Sequence, residues 1–419
     1  MRVLYLTYDG LLDPLGRSQI LPYLYGIQDR IGIEYHIISF EKAFRRNEEP
    51  ALRKELQQRG IKWYPYSFTS QPPLLAKAYD NWRFHWAAHQ LYRRQLIHLV
   101  HARSYVGGWV AHQLHKKYGV PWIFDMRGFW PDERREMGRW PPQNPFFEWL
   151  YRRWKRYERL MLESAAHVIV LTEAAKEVLL EWGLRDSKIT VIPCVADYAH
   201  FVPQPSHTSQ EKRAELGIPQ DTFVLGYVGS IGPIYALEEM LRLFKVLLEM
   251  LPQSYMVFLT PAPEADILHA ASQLGLPLER LRIRFFPRAQ LPQWMGILDA
   301  SVMFRKPGFS TKGCSPTRIP ELLAMNIPII TQRELGDNER FKDRLEGLFL
   351  CENFSETAYR KAIQALLAAK AQGRFCSIRA QSESFLSLPV GLRHYEEAYR
   401  RLMRTPMLAS NSQIELQTQ

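Results

Sequence analysis

Short apolar runs of strand length alternate with helical stretches along most of this chain, from Val3 to Leu350. This alternation is typical of parallel sheets whose faces are covered by helices, so it predicts an α/β fold. The alternation pauses once, at residues 203–215, where polar residues and proline replace the apolar periodicity. The sequence therefore predicts two doubly wound domains in tandem.

The pause sets the predicted domain boundaries. Residues 1–202 form the N-terminal domain, 203–215 the linker and 216–380 the C-terminal domain, followed by one helix at 381–404 and a flexible tail at 405–419. The total of 419 residues suffices for two cores of about 200 residues each. In such a pair of sheets the carboxyl ends of the strands are expected to face each other across a ligand-binding cleft.

The net charge of +11 is concentrated in the first half of the chain. Residues 1–200 contain 29 Lys and Arg against 21 Asp and Glu, a balance of +8. This charge favours acidic partners, namely phosphorylated or lipid-linked molecules or an anionic membrane surface. Because no nucleic-acid-binding motif accompanies the charge, nucleic acid is not expected as a partner.

Neither a signal peptide nor a membrane span is predicted, because the first apolar run is cut short by Asp9 and no later run approaches about 18 residues. Four scattered cysteines show no metal-ligand spacing, which favours reduced thiols. We expect a cytoplasmic protein. The positive charge also favours peripheral attachment at the inner face of the cell membrane.

Residues 313–330 combine a polar loop, a helix start and an apolar strand. Ser315 is predicted to cap the helix, so that the N–H groups of Thr317 and Arg318 point out of its first turn. With a guanidinium beside it, such a helix start suits a diphosphate, and Glu321 one turn further in suits sugar or ribose hydroxyls. A sugar nucleotide fits both expectations, and an ordinary helix start is the alternative.

Two other loops of the second domain also follow predicted strands. Gly229 and Ser230 lie in a turn where backbone N–H groups can meet a phosphate, but the spacing differs from the dinucleotide fingerprint, so NAD is not expected. Arg305 and Lys312 carry positive charge that a departing diphosphate needs. A solvated basic loop is the alternative.

In the first domain, the loop that follows the first strand contains Gly16, which allows close backbone approach to a ligand. Arg103 and Arg127 follow the fourth and fifth strands, and Asp125 lies beside them. Together these three are predicted to place ionisable groups in one apolar-walled pocket. The alternative is a pair of loops joined by salt bridges.

Other residues near these loops complete the expectation. Phe129 and Trp130 are predicted to offer a sugar or base a stacking face, and Asp132 to add a carboxylate. A basic and aromatic segment at residues 151–159 suits either a membrane surface or a helix packed on the sheet with solvated arginines.

Four segments in order, residues 13–19, 124–133, 226–232 and 315–324, resemble the motifs of family 4 glycosyltransferases. The resemblance covers roughly residues 1–400. It implies the GT-B fold, which has two Rossmann-like domains, with the sugar nucleotide held mainly by the second domain and the acceptor by the first. It also implies retention of anomeric configuration without a bound metal.

Three positions depart from the common family pattern. Gly313 stands where many members have the first of two glutamates, and Ser230 lies where many have a basic residue. The diphosphate is then expected on Arg305, Lys312 or Arg318. Arg127 stands where many members carry a histidine next to the reacting sugar.

The sequence thus predicts a retaining glycosyltransferase that moves a sugar from a nucleoside diphosphate to a cytoplasmic glycan or lipid-linked acceptor, as in cell-envelope polysaccharide synthesis, without a metal or other cofactor. A sugar-nucleotide epimerase on the same fold and a catalytically silent GT-B binding protein are the alternatives. The predicted catalytic residues are Arg127, Asp125 and Glu321. The predicted substrate-binding residues are Gly16, Arg103, Gly229, Ser230, Arg305, Lys312, Ser315, Thr317 and Arg318.

Overall fold

The structure is a computed structural model that describes residues 1–404, apart from the side chains of residues 73 and 74. The chain divides into two compact units. We call them the N-terminal unit, Met1–Pro193 together with the chain from Gly391, and the C-terminal unit, Cys194–Val390. The predicted tail at 405–419 lies outside the described residues.

Within the described residues, the N-terminal unit is built on seven parallel strands in the order β3-β2-β1-β4-β5-β6-β7. The strands are β1 (Arg2–Leu6), β2 (Glu34–Glu41), β3 (Lys62–Ser67), β4 (Leu99–Arg103), β5 (Trp122–Asp125), β6 (His167–Val170) and β7 (Ile189–Val191).

The part of the C-terminal unit that the structure describes has six parallel strands in the order β10-β9-β8-β11-β12-β13. They are β8 (Val224–Val228), β9 (Tyr255–Leu259), β10 (Leu281–Arg284), β11 (Ala300–Met303), β12 (Ile329–Gln332) and β13 (Leu348–Cys351). In both sheets the strand order reverses beside the first strand, which is where doubly wound sheets bind ligands. The predicted pair of doubly wound α/β domains is confirmed.

Helices cover both sheets, and the strands they cover are buried along their whole length, as in β5 and β8. The described helices of the N-terminal unit are α1 (Pro14–Gln19), α2 (Leu21–Ile31), α3 (Glu49–Gln58), α4 (Pro73–Arg94), α5 (Ser104–Tyr118), α6 (Trp130–Glu136), α7 (Pro145–Ser164) and α8 (Glu173–Glu181). Those that follow are α9 (Ser206–Glu215), α10 (Leu237–Met250), α11 (Glu264–Gln273), α12 (Leu291–Met295), α13 (Arg318–Ala324), α14 (Asn338–Lys342), α15 (Glu356–Ala371), α16 (Ile378–Leu386) and α17 (Leu388–Met403). Among these helices, none is both long and apolar enough to cross a membrane.

The structure corrects the predicted linker. Residues 206–215 form α9, which docks on the C-terminal unit through polar groups: the Ser209 hydroxyl donates to the Gly296 carbonyl over 2.8 Å, and Arg213 pairs with Asp299 at 2.8 Å. Because hydrogen bonds rather than an apolar stripe hold this helix, hydrophobic periodicity could not reveal it. The unit boundary falls at residue 194, ahead of the predicted end at 202.

The single helix predicted at residues 381–404 is also wrong, because α16 ends at Leu386 and α17 begins at Leu388. Ser387 separates them and forms a parallel bridge with Ala196. Pro389, which lacks an N–H donor, suits the first turn of a new helix rather than the interior of a continuous one. From Gly391 onward α17 packs within the N-terminal unit, where its side chains reach the site described below.

Candidate functional sites at the carboxyl ends of the two sheets

In the C-terminal unit, the turn that follows β8 has a backbone that only glycine adopts readily. Gly229 has a φ of 132°. A β-carbon added to Gly229 would lie 3.6 Å from Nε of Arg318, so this guanidinium stem sits directly over the turn. The Tyr227 hydroxyl donates to the Ser230 carbonyl over 2.8 Å and fixes the turn from below. The predicted Gly229, Ser230 and Arg318 are therefore brought together.

The other glycines of this motif have different roles. A β-carbon at Gly226 would collide with the Leu298 side chain, which indicates a packing requirement, whereas Gly232 has open space around it. The glycines at 226, 229 and 232, which are three residues apart, thus do not share one role. Only Gly229 is required by backbone conformation.

Arg305 follows β11 and reaches the same turn. The stretch after Gly229 pairs with it, since the Lys306 N–H donates to the Ile234 carbonyl over 2.8 Å and Tyr235 forms an antiparallel bridge with Arg305. The Arg305 guanidinium contacts the Cys314 sulfur and lies 5.9 Å from the centroid of the Tyr235 ring. Two of the predicted diphosphate arginines thus flank one loop.

Tyrosines line this loop between the two arginines. Burial raises the pKa of Tyr235 and of Tyr227, and the positive charges of Arg305 and Arg318 oppose that rise at both rings. Both hydroxyls are therefore neutral donors at physiological pH. The combination of two guanidinium groups and a glycine turn suits a polyanion such as a diphosphate.

The structure corrects the predicted helix cap at Ser315. Helix α13 begins at Arg318, and Thr317 at its N-cap position makes no side-chain capping bond. The Ser315 hydroxyl instead accepts a hydrogen bond from the Cys194 N–H at 3.1 Å. Lys312 lies in the 3₁₀ turn Phe309–Gly313, with its ammonium group 5.8 Å from the centroid of the Phe309 ring.

The sequence predicts that Glu321 is open to a ligand at the helix start, but the structure shows that it is buried. Only 1% of its side chain is exposed, and its carboxylate pairs with Arg288 at 2.7 Å and with Arg318. Arg288 is itself anchored, because its carbonyl lies 3.1 Å from His200 Nε2 and its guanidinium 5.0 Å from the Phe201 ring centroid. Glu321 therefore fixes Arg318 over the turn, a positioning role for which a hydroxyl ligand is not needed.

In the N-terminal unit, the loop after β1 is held by a buried carboxylate. Glu41 accepts hydrogen bonds from the N–H groups of Leu11 (2.8 Å) and Leu12 (3.0 Å). A β-carbon at Gly16 would overlap the Leu11 backbone. These loop amides already have a protein partner, so the structure gives Gly16 a packing role in place of the predicted ligand contact.

Asp125, the last residue of β5, lies at the centre of a buried polar cluster. Arg103 and Arg127 each place a guanidinium nitrogen 3.7 Å from its carboxylate, and His101 Nε2 lies 3.6 Å away. The Tyr395 hydroxyl donates to Asp125 Oδ2 over 2.9 Å. The side chains of Arg103, Arg127 and Asp125 are 3%, 9% and 1% exposed. The predicted pocket of ionisable groups at these strand ends is present.

Burial and the neighbouring positive charges shift the pKa of Asp125 in opposite directions. Burial alone would raise the pKa of Asp125, but Arg127, His101 and Arg103 together hold it well below its usual value. Burial also lowers the pKa of His101. Asp125 is therefore a carboxylate and His101 a neutral imidazole at pH 7. Among the described residues, Asp125 Oδ1, Arg103 Nε and His101 Nε2 are buried without a hydrogen-bond partner.

Backbone strain marks the same edge of the sheet. Arg127 and Ser104, which follow β5 and the neighbouring β4, have φ values of 60° and 61°. Residues other than glycine rarely adopt this conformation, and it concentrates at ligand-binding and catalytic sites. The strained backbone of Arg127 thus lies beside the unsatisfied polar atoms of Asp125, Arg103 and His101.

Three neighbours predicted to join this pocket do not. Asp132 accepts a hydrogen bond from the Tyr151 hydroxyl at 2.8 Å and pairs with Lys155 at 2.9 Å, which ties α6 to α7. Phe129 is 1% exposed, so it has no free face for a sugar. The Trp130 ring packs edge-on against other aromatic rings.

Sequence reasoning missed several members of both sites. Arg288 follows β10 at the carboxyl edge of its sheet, so it could have been predicted from its position after a strand, as Arg305 was. No sequence pattern indicated Tyr395 or His101. Tyr395 lies on α17, 270 residues from its partner Asp125, and His101 lies inside β4. Among the described residues, no group of three His, Cys, Asp or Glu side chains is placed to hold a metal ion.

Comparisons with known proteins bear on the N-terminal half and on the fold. Residues 24–194 match the family model of the Glycosyl transferase 4-like domain. A D-inositol 3-phosphate glycosyltransferase of Kineococcus radiotolerans is 26% identical over 145 residues, which are 34% of this chain and 32% of the relative. The same enzyme of Corynebacterium jeikeium is 26% identical over 156 residues, 37% and 36% of the two chains. The chain thus spans about a third of the length of these relatives.

Two solved structures share the whole architecture. Anabaena HepE in complex with UDP and glucose superposes with a TM-score of 0.67 at 16% identity, covering 96% of this chain and 99% of that one. A sucrose-phosphate synthase from Thermosynechococcus elongatus gives a TM-score of 0.68 at 15% identity, with the same coverage. These likenesses show the fold.

The two kinds of comparison agree on the class of protein: two parallel-sheet domains of the GT-B type. Residues 24–194 are similar to the Glycosyl transferase 4-like domain, and parts of the chain are similar to D-inositol 3-phosphate glycosyltransferases. The resemblance noted in the sequence is confirmed.

Proposed function

We propose that this protein is a retaining glycosyltransferase that moves a sugar from a nucleoside diphosphate to a cytoplasmic glycan or lipid-linked acceptor. The proposal rests above all on one observation, the Gly229–Ser230 turn flanked by Arg305 and Arg318. A glycine-bearing turn between fixed guanidinium groups is suited to a diphosphate and to the negative charge that grows on it as the sugar departs.

In this proposal the arginines take the charge-stabilising role that a metal ion fills in other transferases, so no metal is required. Arg318 is held over the turn by Glu321, which acts by positioning rather than by touching the sugar. In this proposal Lys312, Thr317 and Ser315 lie next to this loop and have no further role.

The N-terminal unit contributes Asp125 and Arg127 to the reaction. Arg127, His101 and Arg103 keep the Asp125 carboxylate charged in spite of its burial, and the carboxylate in turn orients Arg127. A strained, nearly buried Arg127 is pre-organised to face developing charge, which favours catalysis over a purely structural role. We propose acceptor binding by this unit.

The first donor to test is a UDP-sugar, because the structurally similar HepE was solved with UDP and glucose. The named activity of the sequence relatives makes phosphorylated cyclitols reasonable first soluble acceptors. We further propose a cytoplasmic location, with the +8 N-terminal half drawn to an anionic membrane surface.

The test is incubation of the full chain with a panel of nucleotide sugars, with and without membrane extract and soluble acceptors, followed by NMR of the products. Transfer with the donor's anomeric configuration kept is the expected result. Interconversion of the nucleotide sugar without acceptor would indicate an epimerase, and nucleotide binding without turnover a silent binding protein; either would contradict the proposal.

A further inference from the structure

Helix α17 brings two tyrosines into the cluster around Asp125. From Gly391 onward this helix belongs to the N-terminal unit, and its residues Tyr395 and Tyr399 are buried there. Because they are four residues apart, their side chains lie on the same face of the helix. The centroids of the two rings lie 6.0 and 5.7 Å from the centroid of the His101 ring. Both hydroxyl groups are therefore part of the same buried polar cluster.

The position of α17 in the N-terminal unit is fixed by its contacts with α2. A β-carbon added to Gly26 of α2 would overlap the Leu392 side chain, so the two helices approach each other as closely as a glycine allows. On a more exposed side of the same contact, Arg30 of α2 pairs with Glu396 at 3.3 Å. The helix thus presents its tyrosines from a defined place.

Tyr395 distinguishes the two carboxylate oxygens of Asp125. Its hydroxyl donates to Oδ2 over 2.9 Å, and nitrogens of His101 and Arg103 lie 3.6 and 3.7 Å from the same oxygen. The other oxygen, Oδ1, lies 3.7 Å from a guanidinium nitrogen of Arg127. The last torsion of an aspartate side chain has a broad energy well, so one short hydrogen bond decides how the carboxylate is turned. Tyr395 therefore keeps Oδ1 directed toward Arg127.

Both tyrosine hydroxyls keep their protons under these conditions. Burial and the negative charge of Asp125 raise the pKa of Tyr395 well above its ordinary value. Burial and the neighbouring Tyr35 do the same for the pKa of Tyr399. Because an ionised carboxylate can only accept hydrogen bonds, the direction of the bond between Tyr395 and Asp125 is settled: the phenol donates and the carboxylate accepts.

Tyr399 selects one tautomer of the neutral His101 ring. The Tyr399 oxygen lies 2.6 Å from Nδ1 of His101 and accepts a hydrogen bond from the Tyr35 hydroxyl at 3.4 Å. On the other side of the ring, Nε2 lies 3.6 Å from the Asp125 carboxylate. A neutral imidazole has one N–H, and a lone pair on Nε2 would be repelled by the carboxylate. The proton therefore belongs on Nε2, and Nδ1 accepts from the Tyr399 hydroxyl.

We propose that Tyr395 and Tyr399 are positioning residues for the transfer reaction. They hold Asp125 and His101 in the one arrangement that directs Asp125 Oδ1 at Arg127, and they act through these residues without contacting a substrate. A fully hydrogen-bonded buried network of this kind fixes the geometry of the groups it contains. This inference rests on the proposed function for the part that Arg127 plays in catalysis. It makes the last helix of the described chain a requirement of the chemistry.

The kinetic test compares Tyr395→Phe, which removes one hydroxyl and keeps the ring, with the matched control Tyr198→Phe. Tyr198 is a buried tyrosine of the C-terminal unit whose hydroxyl donates to the Ser382 hydroxyl over 2.8 Å. Tyr395→Phe should lower kcat about tenfold and keep KM for the nucleotide sugar within about twofold, whereas the control should keep both within about twofold. A parental kcat in Tyr395→Phe, or a rise in KM alone, would overturn the proposal.

Two measurements need no transfer activity, so they separate this inference from the proposed function. Crystal structures of the parent and of Tyr395→Phe should show that the Asp125 carboxylate turns when the hydroxyl is lost; an unchanged carboxylate would contradict the proposal. Nitrogen-15 NMR of the imidazoles, with the His101 signal identified by its absence in His101→Gln, should show a proton on Nε2 alone in the parent and both tautomers in Tyr399→Phe. A proton on Nδ1 in the parent would also overturn the proposal.

Discussion

Each unit holds a buried carboxylate between two arginines at the carboxyl edge of its sheet, but the two clusters differ in how well they are satisfied. In the C-terminal unit, Glu321 contacts Arg288 and Arg318 directly. In the N-terminal unit, Asp125 lies 3.7 Å from each of its arginines, too far for a hydrogen bond.

The difference separates a scaffold from a site prepared for a ligand. A satisfied carboxylate fixes its arginines and has little remaining capacity, which suits the role of Glu321 behind Arg318. Buried polar atoms without partners are costly, and they persist where function requires them. The cluster around Asp125 combines such atoms with the strained backbone of Arg127. We therefore propose that the Asp125 cluster takes part in the chemistry and that Glu321 positions Arg318.

The largest effect is expected for Asp125→Ala. This change removes the Asp125 carboxylate from beside the nearly buried Arg103 and Arg127, of which Arg103 still has Asp9 3.6 Å away, and should cost about 3–5 kcal/mol of unfolding free energy. Urea unfolding with hydrogen exchange of β4 and β5 measures it. Tyr395→Phe removes a single hydrogen bond to the same carboxylate and should cost about 1 kcal/mol. Equal losses for the two variants would show that the arginines do not depend on Asp125.

Glu321→Ala should cost less, about 1–3 kcal/mol, because Arg288 and Arg318 are 32% and 25% exposed and can turn toward solvent. Its larger consequence should be weaker nucleotide binding, since Arg318 is no longer held over Gly229. Thermal unfolding and calorimetric titration of the same preparations decide the matter. Unchanged nucleotide affinity in this variant would show that Glu321 does not position Arg318.

Acid should distinguish the units as well. Among the described residues, the histidines whose pKa is lowered, chiefly by burial, all lie in the N-terminal unit: His36, His85, His89, His98, His101, His112 and His167. These side chains take up protons on unfolding below about pH 6.5 but resist them when folded. The N-terminal unit should therefore lose stability as the pH falls below 6.5.

His167 gives the clearest case, because burial lowers its pKa to about 4 and its side chain is 1% exposed. Between pH 6.5 and 4 it should remove about 1.4 kcal/mol of stability per pH unit. Hydrogen exchange at pH 7, 6 and 5 should show the protection of β4–β6 falling faster than that of β8–β12. His167→Gln should reduce the slope of stability against pH. An unchanged slope would show that His167 does not cause the loss of stability.

The smallest expected effect is that of chelation. If arginines carry the charge of the diphosphate, transfer activity should stay within about twofold of its starting value in excess EDTA. Product formation with and without chelator measures this. Loss of activity that magnesium or manganese restores would transfer that role to a metal ion.

Local patterns were enough to predict the sheets. Apolar strands such as Trp122–Asp125 and Val224–Val228 are buried on both faces, so they appear in the sequence as continuous apolar runs. Residues placed at strand ends, such as Arg103, Arg127 and Arg305, were predicted because topology alone brings strand ends to one edge. Helix α9 was missed because its contacts are polar.

The polar contacts within each site could not be predicted from the sequence. Whether Glu321 is open or paired depends on Arg288, which comes from another strand end at an unpredictable distance. The tie between Tyr395 and Asp125 depends on α17 belonging to the N-terminal unit, and no local pattern encodes that assignment. Such long-range pairings follow from tertiary packing rather than from propensity.

The central claim is that Arg305 and Arg318 hold a diphosphate at the Gly229 turn. Calorimetric titration of the parent and of Arg318→Ala, with a nucleoside diphosphate and with the matching nucleoside, tests it most directly. Arg333→Ala is the control, because Arg333 is an arginine of the same unit whose partners are the exposed Glu339 and Glu352. The account predicts that Arg318→Ala loses about a hundredfold in affinity for the diphosphate and under about threefold for the nucleoside, with Arg333→Ala unchanged. Equal losses for both ligands would contradict it.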